Sequence, residues 1–267
     1  MSRILVTGAA GRIGRTLRHG LAAAGFTFRS IDLTAVEDPF PDEECVTGDV
    51  SDVALMTEAC RDVAAVVHLA AIPTEAPWEQ IRQHNIEATY AAFEAARIAG
   101  VPRVVFASSI HASGFSRRVE RLGVEEVPKP DTLYGVSKVF GESLGRMYAD
   151  RHGMQVACVR IGAFQDRPQD GHSRSIWLSP GDAVRLFHAL LTSPDLGYAV
   201  LWGVSANGTG WLDLEPARRL GYPPHDDAEQ VTQAWADGPD DPLGGWLTGR
   251  DADPEVVAER WARRCAH

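Results

Sequence analysis

A chain of 267 residues with 45% apolar content is long enough for one α/β domain with a full hydrophobic core, and disorder is not expected. Asp and Glu (36) outnumber Lys and Arg (26), and the formal charge of -10 disfavours a sequence-independent grip on nucleic acid or on an anionic membrane. No apolar run reaches the roughly 20 residues of a membrane helix, and the N-terminus runs into a strand pattern rather than a leader peptide, so a cytoplasmic protein is expected. Cys45, Cys60, Cys158 and Cys265 show no CxxC spacing, which predicts reduced packing residues and no metal site.

Residues 4–7 read as a short apolar strand that ends in Gly8-Ala9-Ala10-Gly11-Arg12-Ile13-Gly14, and a helix pattern follows over 14–24. The spacing is that of a dinucleotide turn. Gly8 makes the tight bend, Gly11 lets backbone N–H groups approach a pyrophosphate at the positive helix end, and Gly14 lets the helix pack on the strand. Gly8, Ala10, Gly11, Arg12 and Ile13 are thus candidate cofactor contacts. The second strand, 26–32, ends at Asp32, eighteen residues after Gly14. A carboxylate there accepts hydrogen bonds from the adenosine ribose and repels a 2′-phosphate, which selects NAD over NADP. Asp49, in Thr47-Gly48-Asp49-Val50, closes a third short strand and is either a contact to the adenine edge or a turn aspartate.

The fourth strand is predicted over 65–69, and an alanine-rich helix over 81–99 stops at Gly100 and Pro102. A strand over 104–108 leads into Ser108 and Ser109, at the sheet edge where open α/β folds place ligands. One hydroxyl of the pair either steadies a reacting oxygen or caps the next element. A helix over 134–152 opens with Tyr134 and Lys138, four apart and on one face. An ammonium so placed lowers the phenol's pKa and lets phenolate act as a base, the alternative being an ordinary solvated face. Five Tyr and two Lys in 267 positions produce such a pair by accident roughly four times in a hundred. Lysine is also scarce, Lys129 and Lys138 being the two among 26 basic residues, so a compact ammonium is specifically wanted at 138.

After a strand over 156–161, a loop over 165–180 rich in Pro, Gly, Ser and Asp precedes a helix near 182–191 and a strand over 198–204. Residues 237–241 read as a solvated loop before a C-terminal helix. The alternation predicts an α/β protein: a Rossmann-type doubly wound parallel sheet with a small C-terminal substrate-binding lobe. Residues 1–162 are expected to form the NAD-binding core with the Ser/Tyr/Lys group, and 163–267 the substrate-side lobe of one compact unit.

The glycine loop, His68-Leu69-Ala70-Ala71, Phe106-Ala107-Ser108-Ser109-Ile110-His111 and Tyr134-Gly135-Val136-Ser137-Lys138 together resemble the extended short-chain dehydrogenase/epimerase superfamily. Arg160-Ile161-Gly162, Trp177-Leu178-Ser179, Trp202-Gly203-Val204-Ser205-Ala206-Asn207 and Leu220-Gly221-Tyr222 extend the resemblance, toward bacterial uronate dehydrogenases, over most of residues 3–230. The resemblance implies Ser109 rather than Ser108 as the catalytic serine, Tyr134 as base and Lys138 as its partner. It implies NAD along Asp49, Val50, Leu69, Ala70, Ala71 and Asn85, the last organising the proton path. It also implies oxidation of a cyclic sugar at its anomeric carbon, no nucleic-acid or membrane partner, and a homo-oligomer. Pro73, Ser109, Ile110, His111, Tyr134, His172 and Arg174 would line the sugar site.

Three departures bear on the sugar. Ile110 stands where the family has an amide, Pro73 where it has a serine, and Arg174 lies closer to Trp177 than the family's carboxylate-binding arginine. Glu75-Ala76-Pro77-Trp78 is similar to archaeal NAD-dependent glucose-6-phosphate dehydrogenases, and His172 with Arg174 suits a phosphate as well as a carboxylate. A nucleotide-sugar isomerase or lyase, or an NAD-sensing regulator with idle chemistry, are the competing classes. The short stretch after Arg160 disfavours the former, and the intact Ser109, Tyr134 and Lys138 disfavour the latter.

Overall fold

Strand alternation decides which side chains face which helices. In β1 (Arg3–Thr7), Ile4 and Val6 enter one buried cluster while Leu5 enters another on the opposite face of the sheet. The structure, a computed structural model, describes residues 2–232, 242–249 and 252–257. Among these, the further strands are β2 (Thr27–Asp32), β3 (Glu44–Thr47), β4 (Ala65–His68), β5 (Arg103–Ser109), β6 (Gln155–Ile161), β7 (Ala163–Phe164), β8 (Trp177–Leu178) and β9 (Tyr198–Gly203). Seven form one sheet in the order β3-β2-β1-β4-β5-β6-β9, all pairs parallel, and β7 with β8 makes a separate two-stranded ribbon.

Parallel neighbours require crossovers, and all of them but the loop from β2 to β3 are supplied by helices. They are α1 (Arg12–Ala22), α2 (Val53–Ala59), α3 (Trp78–Ile81), α4 (Ala88–Ile98), α5 (Leu133–His152), α6 (Gly171–Ser175) and α7 (Pro180–Thr192). Leu17 and Leu21 of α1 and Leu186, Phe187 and Leu190 of α7 cover one face of the sheet. Met56 of α2, Phe93 of α4 and Tyr148 of α5 cover the other. The doubly wound α/β sheet expected from the alternation is therefore the observed one.

Two details depart from the expected elements. The helix expected over 81–99 is interrupted by a π-helical turn, Arg82–Glu87, which joins α3 to α4. Beyond residue 162 the chain returns to the main sheet, β9 pairing with β6 and α7 packing against α1, so the sheet runs across the boundary expected there. Trp202, Val204, Trp211, Leu212 and Leu243 build a smaller core in this C-terminal part. The 237–241 stretch and Cys265 lie outside the described residues, and of the C-terminal helix 254–257 are described.

β1 has β2 on one side and β4 on the other, so the order of sheet-building reverses there. The crevice outside the strands' carboxyl ends opens between the loops after β1 and β4, and ligands of such sheets bind in that position. Among the described residues no helix is long and apolar enough to cross a membrane.

Candidate active site

The loop after β1 is pinned on both sides. Gly8 has φ +68°, its N–H donates to Ile31 O at 2.9 Å, and a Cβ built on it would lie 2.8 Å from Ala70 N. At Gly14 a Cβ would lie 2.3 Å from Gly8 O, so the first turn of α1 closes directly on the loop. Asp32, at the end of β2, accepts Ala10 N at 3.0 Å on one oxygen and Thr34 N at 3.1 Å on the other. The residue expected to read a ribose thus also holds the phosphate loop. Thr7 Oγ1 accepts Leu69 N and Ala70 N, both at 3.2 Å, tying the β4 exit to β1. His68 bonds the same hydroxyl, and burial pushes its pKa down to about 3, so it is a neutral packing residue.

Other residues expected at the cofactor lie in the first turn of α1 and on the loops after β3 and β4. Arg12 sits over the Phe164 ring at 5.8 Å, and Ile13 and Leu69 pack against one sheet-face core, Ala70 against the other. Asp49 accepts Ser51 N at 2.9 Å, which holds its carboxyl below the usual range, and faces the amide of Gln83. That is the bonding of a turn aspartate. Val50 beside it is buried in the core, and Ala71 is half-buried.

Alternation along β5 separates the two serines. Ser108 donates to Glu142 Oε1 at 2.6 Å inside the protein, where Glu142 also receives Arg160 Nε at 2.9 Å and Nη2 at 2.8 Å. Ser109 faces the other way and hydrogen-bonds the Tyr134 phenol, an interaction that favours phenolate. Lys138, one helical turn after Tyr134, donates from Nζ to Ala107 O at 2.8 Å and lies 5.4 Å from the centre of the Tyr134 ring. Ser109, Tyr134 and Lys138 are therefore together at the carboxyl end of β5. The expected lowering of the phenol's pKa does not occur in this structure. Burial raises Tyr134 to about 12 despite the Ser109 bond and lowers Lys138 to about 7. Chemically, the arrangement offers a phenol for proton transfer, a hydroxyl bonded to it, and an amine that titrates near neutral pH.

Asn85, on the π-helical turn, spends its amide on structure. Its Oδ1 accepts Ile72 N at 2.9 Å, and its Nδ2 donates to Ile72 O and to Ser137 Oγ, both at 3.1 Å. The Asn85 side chain thereby clamps the loop after β4 to α5. On the sugar side, His111 lies with its ring 5.8 Å from that of Tyr134, edge to face. Pro73 is exposed, and Ile110 packs into the smaller apolar core. Arg174 is buried, with Nη2 3.4 Å from Glu229 Oε1 and with Nε lacking a hydrogen-bond partner. His172 lies against the backbone of Gly245, where a Cβ would be 2.9 Å from its Nε2.

Residues 4–165 match the model of the NAD dependent epimerase/dehydratase family. The chain belongs to that family. It is 45% identical over 229 residues to a uronate dehydrogenase of Agrobacterium fabrum, covering 86% of each chain. It is 36% identical over 251 residues to an NAD-dependent glucose-6-phosphate dehydrogenase of Haloferax volcanii, covering 86% of this chain and 95% of the relative. Among solved structures it superimposes with a TM-score of 0.86 on the uronate dehydrogenase of Agrobacterium tumefaciens, a tyrosine-to-alanine mutant complexed with NAD. The two are 41% identical over 93% of this chain and 97% of the other. Together, the family and the similarity to uronate dehydrogenases make the protein an NAD-dependent oxidoreductase, and the glycine cradle fits that cofactor: at Gly8 and Gly14 even a methyl group would strike backbone.

In this family member the roles of Glu75 and Asp131 escaped sequence reading. Glu75, buried, accepts Tyr134 N at 2.9 Å and also bonds Leu133 N, while Thr132 Oγ1 caps Gly135 N at 2.9 Å. The N-terminal N–H groups of α5 are thus met by a carboxylate on one side and a hydroxyl on the other. Asp131, its side chain fully covered, accepts from His111 Nδ1 at 2.8 Å. Each couples segments far apart in sequence, with no local pattern to reveal it.

Proposed function

We propose that this protein oxidises C1 of a cyclic hexuronate, glucuronate or galacturonate, to an aldarolactone. The observation that carries the reading is the convergence of Ser109, Tyr134 and Lys138 with the glycine loop at the carboxyl edge of one sheet. The similarity to uronate dehydrogenases supports the choice of sugar.

Tyr134, once ionised to the phenolate, takes the proton of the C1 hydroxyl on Oη, and Ser109 steadies the oxygen it leaves. As the C1–O electrons form the carbonyl, the C1–H bond gives up its pair as hydride. NAD, held by the glycine loop with Asp32 at its ribose, supplies the hydride acceptor. Lys138 stabilises the phenolate from one helical turn away when it carries its proton, and its Nζ is held there by Ala107 O. His111 meets the sugar beside Tyr134. His172 or Arg174 takes the charged group at C6, and the unpartnered Nε of Arg174 suits an anion.

A second reading, an NAD-dependent dehydrogenase of another aldose such as glucose 6-phosphate, is favoured by Ile110 and Pro73, which remove two polar sugar contacts. Purified protein with NAD and a panel of hexuronates, neutral aldoses and hexose phosphates separates the two by which sugar produces NADH at the highest kcat/KM. NADH from hexose phosphates alone would select the second reading. No NADH with any sugar, and redox-neutral conversion of a UDP-sugar, would remove both.

A further inference from the structure

Around His111 the protein has built a seat for a buried carboxylate. Asp131 Oδ2 lies 2.8 Å from His111 Nδ1, and Oδ1 receives Thr132 Oγ1 at 2.9 Å. Its walls are two glycines from distant parts of the chain. A Cβ on Gly114 would lie 1.8 Å from Asp131 Oδ2, and one on Gly244 would lie 1.7 Å from the same atom. Gly244 N donates to Gly114 O at 2.8 Å and Leu243 N to Ser116 O at 2.9 Å, so the C-terminal segment is stitched over the seat by backbone hydrogen bonds. On the next residue, Gly245 lies against His172.

We propose that Asp131 is a positioning residue, holding His111 in the Nδ1–H tautomer so that Nε2 accepts a hydrogen bond from a sugar hydroxyl beside Tyr134. Residues 242–249 then form part of the active site by closing the seat. A neutral imidazole has one N–H, and whichever acceptor holds it determines what the other nitrogen can do. With the N–H on the carboxylate, Nε2 offers a lone pair at a fixed angle. Without it, the ring turns or exchanges tautomers, and its bond to the sugar is lost. Both wall positions are glycine because any side chain there would occupy the space of the Asp131 carboxyl.

The proposal rests on the reading of this site as a sugar dehydrogenase, and two measurements keep the two claims apart. The first needs no substrate: long-range ¹H–¹⁵N spectra of the histidine rings in the intact protein report the His111 tautomer directly. Nδ1–H in the wild type, lost or mixed in Asp131→Ala, is the expected result, and Nε2–H in the wild type would overturn the proposal whatever the substrate is.

The second is kinetic, with D-galacturonate and NAD. Asp131→Asn and Gly244→Ala should each lower kcat/KM for the sugar about tenfold or more, as misplacement of a site group does, with KM for NAD within about twofold. In a His111→Ala background, Asp131→Asn should add less than about twofold, because its effect passes through the missing ring. A full additional loss in that background would make Asp131 merely structural. Unchanged sugar kinetics in Asp131→Asn would sink the positioning role. Absence of NADH from the wild type with every sugar would remove the underlying function and leave the tautomer measurement to decide the seat.

Discussion

The cofactor side and the sugar side of this crevice are built on different principles. The cofactor side comes mainly from one local unit, β1, its glycine loop, α1 and β2, whose contacts run between residues 8, 10, 14 and 32, with the loop after β4 tied on at Leu69 and Ala70. The proposed sugar side is gathered from segments around 75, 109–114, 131–138, 172–174 and 242–249. A fixed chemical task, gripping one dinucleotide, is met by a compact motif. A variable one is met by loops that a rigid sheet holds at its edge.

The largest expected effect lies at the support beneath the sugar side. Arg160→Ala leaves Glu142 charged and buried beside Ser108, and should cost about 3–5 kcal/mol of folding stability by denaturant unfolding. A loss under about 1 kcal/mol would mean that the pair does not brace the end of β5. On the cofactor side, Asp32→Ala removes the acceptor of Ala10 N and the carboxylate proposed to meet the ribose. NAD affinity should fall by about 10- to 100-fold, corresponding to about 1.5–3 kcal/mol, while discrimination against NADP relaxes. Calorimetric titration with both nucleotides measures it, and unchanged NAD affinity would shift cofactor recognition elsewhere in the loop.

Lys138 sharpens the comparison through pH. Its folded pKa of about 7 lies below the 10.5 of the free side chain, so between those values the unfolded chain binds the extra proton. Stability contributed at this position therefore rises with pH across that window, by up to about 1.4 kcal/mol per unit, and the charged form is penalised fully below pH 7. Lys138→Met should abolish this slope and be the more stable protein at pH 6–7. Parallel stability curves for the two proteins would show instead that the amine is not desolvated as the structure has it.

Legibility in the sequence follows the same division. Short apolar strands bounded by Gly, Asp and Ser and alternating with helical periods were enough to foresee the doubly wound sheet. The glycine spacing followed by Asp32 predicts a nucleotide loop after β1, and the structure joins Ala10 to Asp32 there and closes Gly14 on Gly8. The scarcity of lysine made Lys138 stand out. What was not legible depends on tertiary neighbours. Ser108 and Ser109 differ by which face of β5 they occupy, and the partner that claims Ser108, Glu142, sits 34 residues away. Asn85 reads as a site asparagine, yet its amide bonds Ile72 and Ser137, because a π-helical turn invisible to hydrophobic periodicity sets its direction. Asp131 carries no motif, and the segment Glu75-Ala76-Pro77-Trp78 gives no sign that Glu75 accepts Tyr134 N. The expected pKa of Tyr134 reversed direction because burial, which spacing does not report, outweighs the contributions of its neighbours.

The central claim, proton transfer by Tyr134 during NAD-dependent oxidation at C1, is tested most directly by Tyr134→Phe, assayed for NADH from galacturonate with NAD affinity measured in parallel. The predicted result is a loss of kcat of about 10³-fold, within the range expected for removing a general base, with NAD affinity within about threefold of the wild type. Turnover within tenfold of the wild type, or loss of NAD binding together with activity, would contradict it.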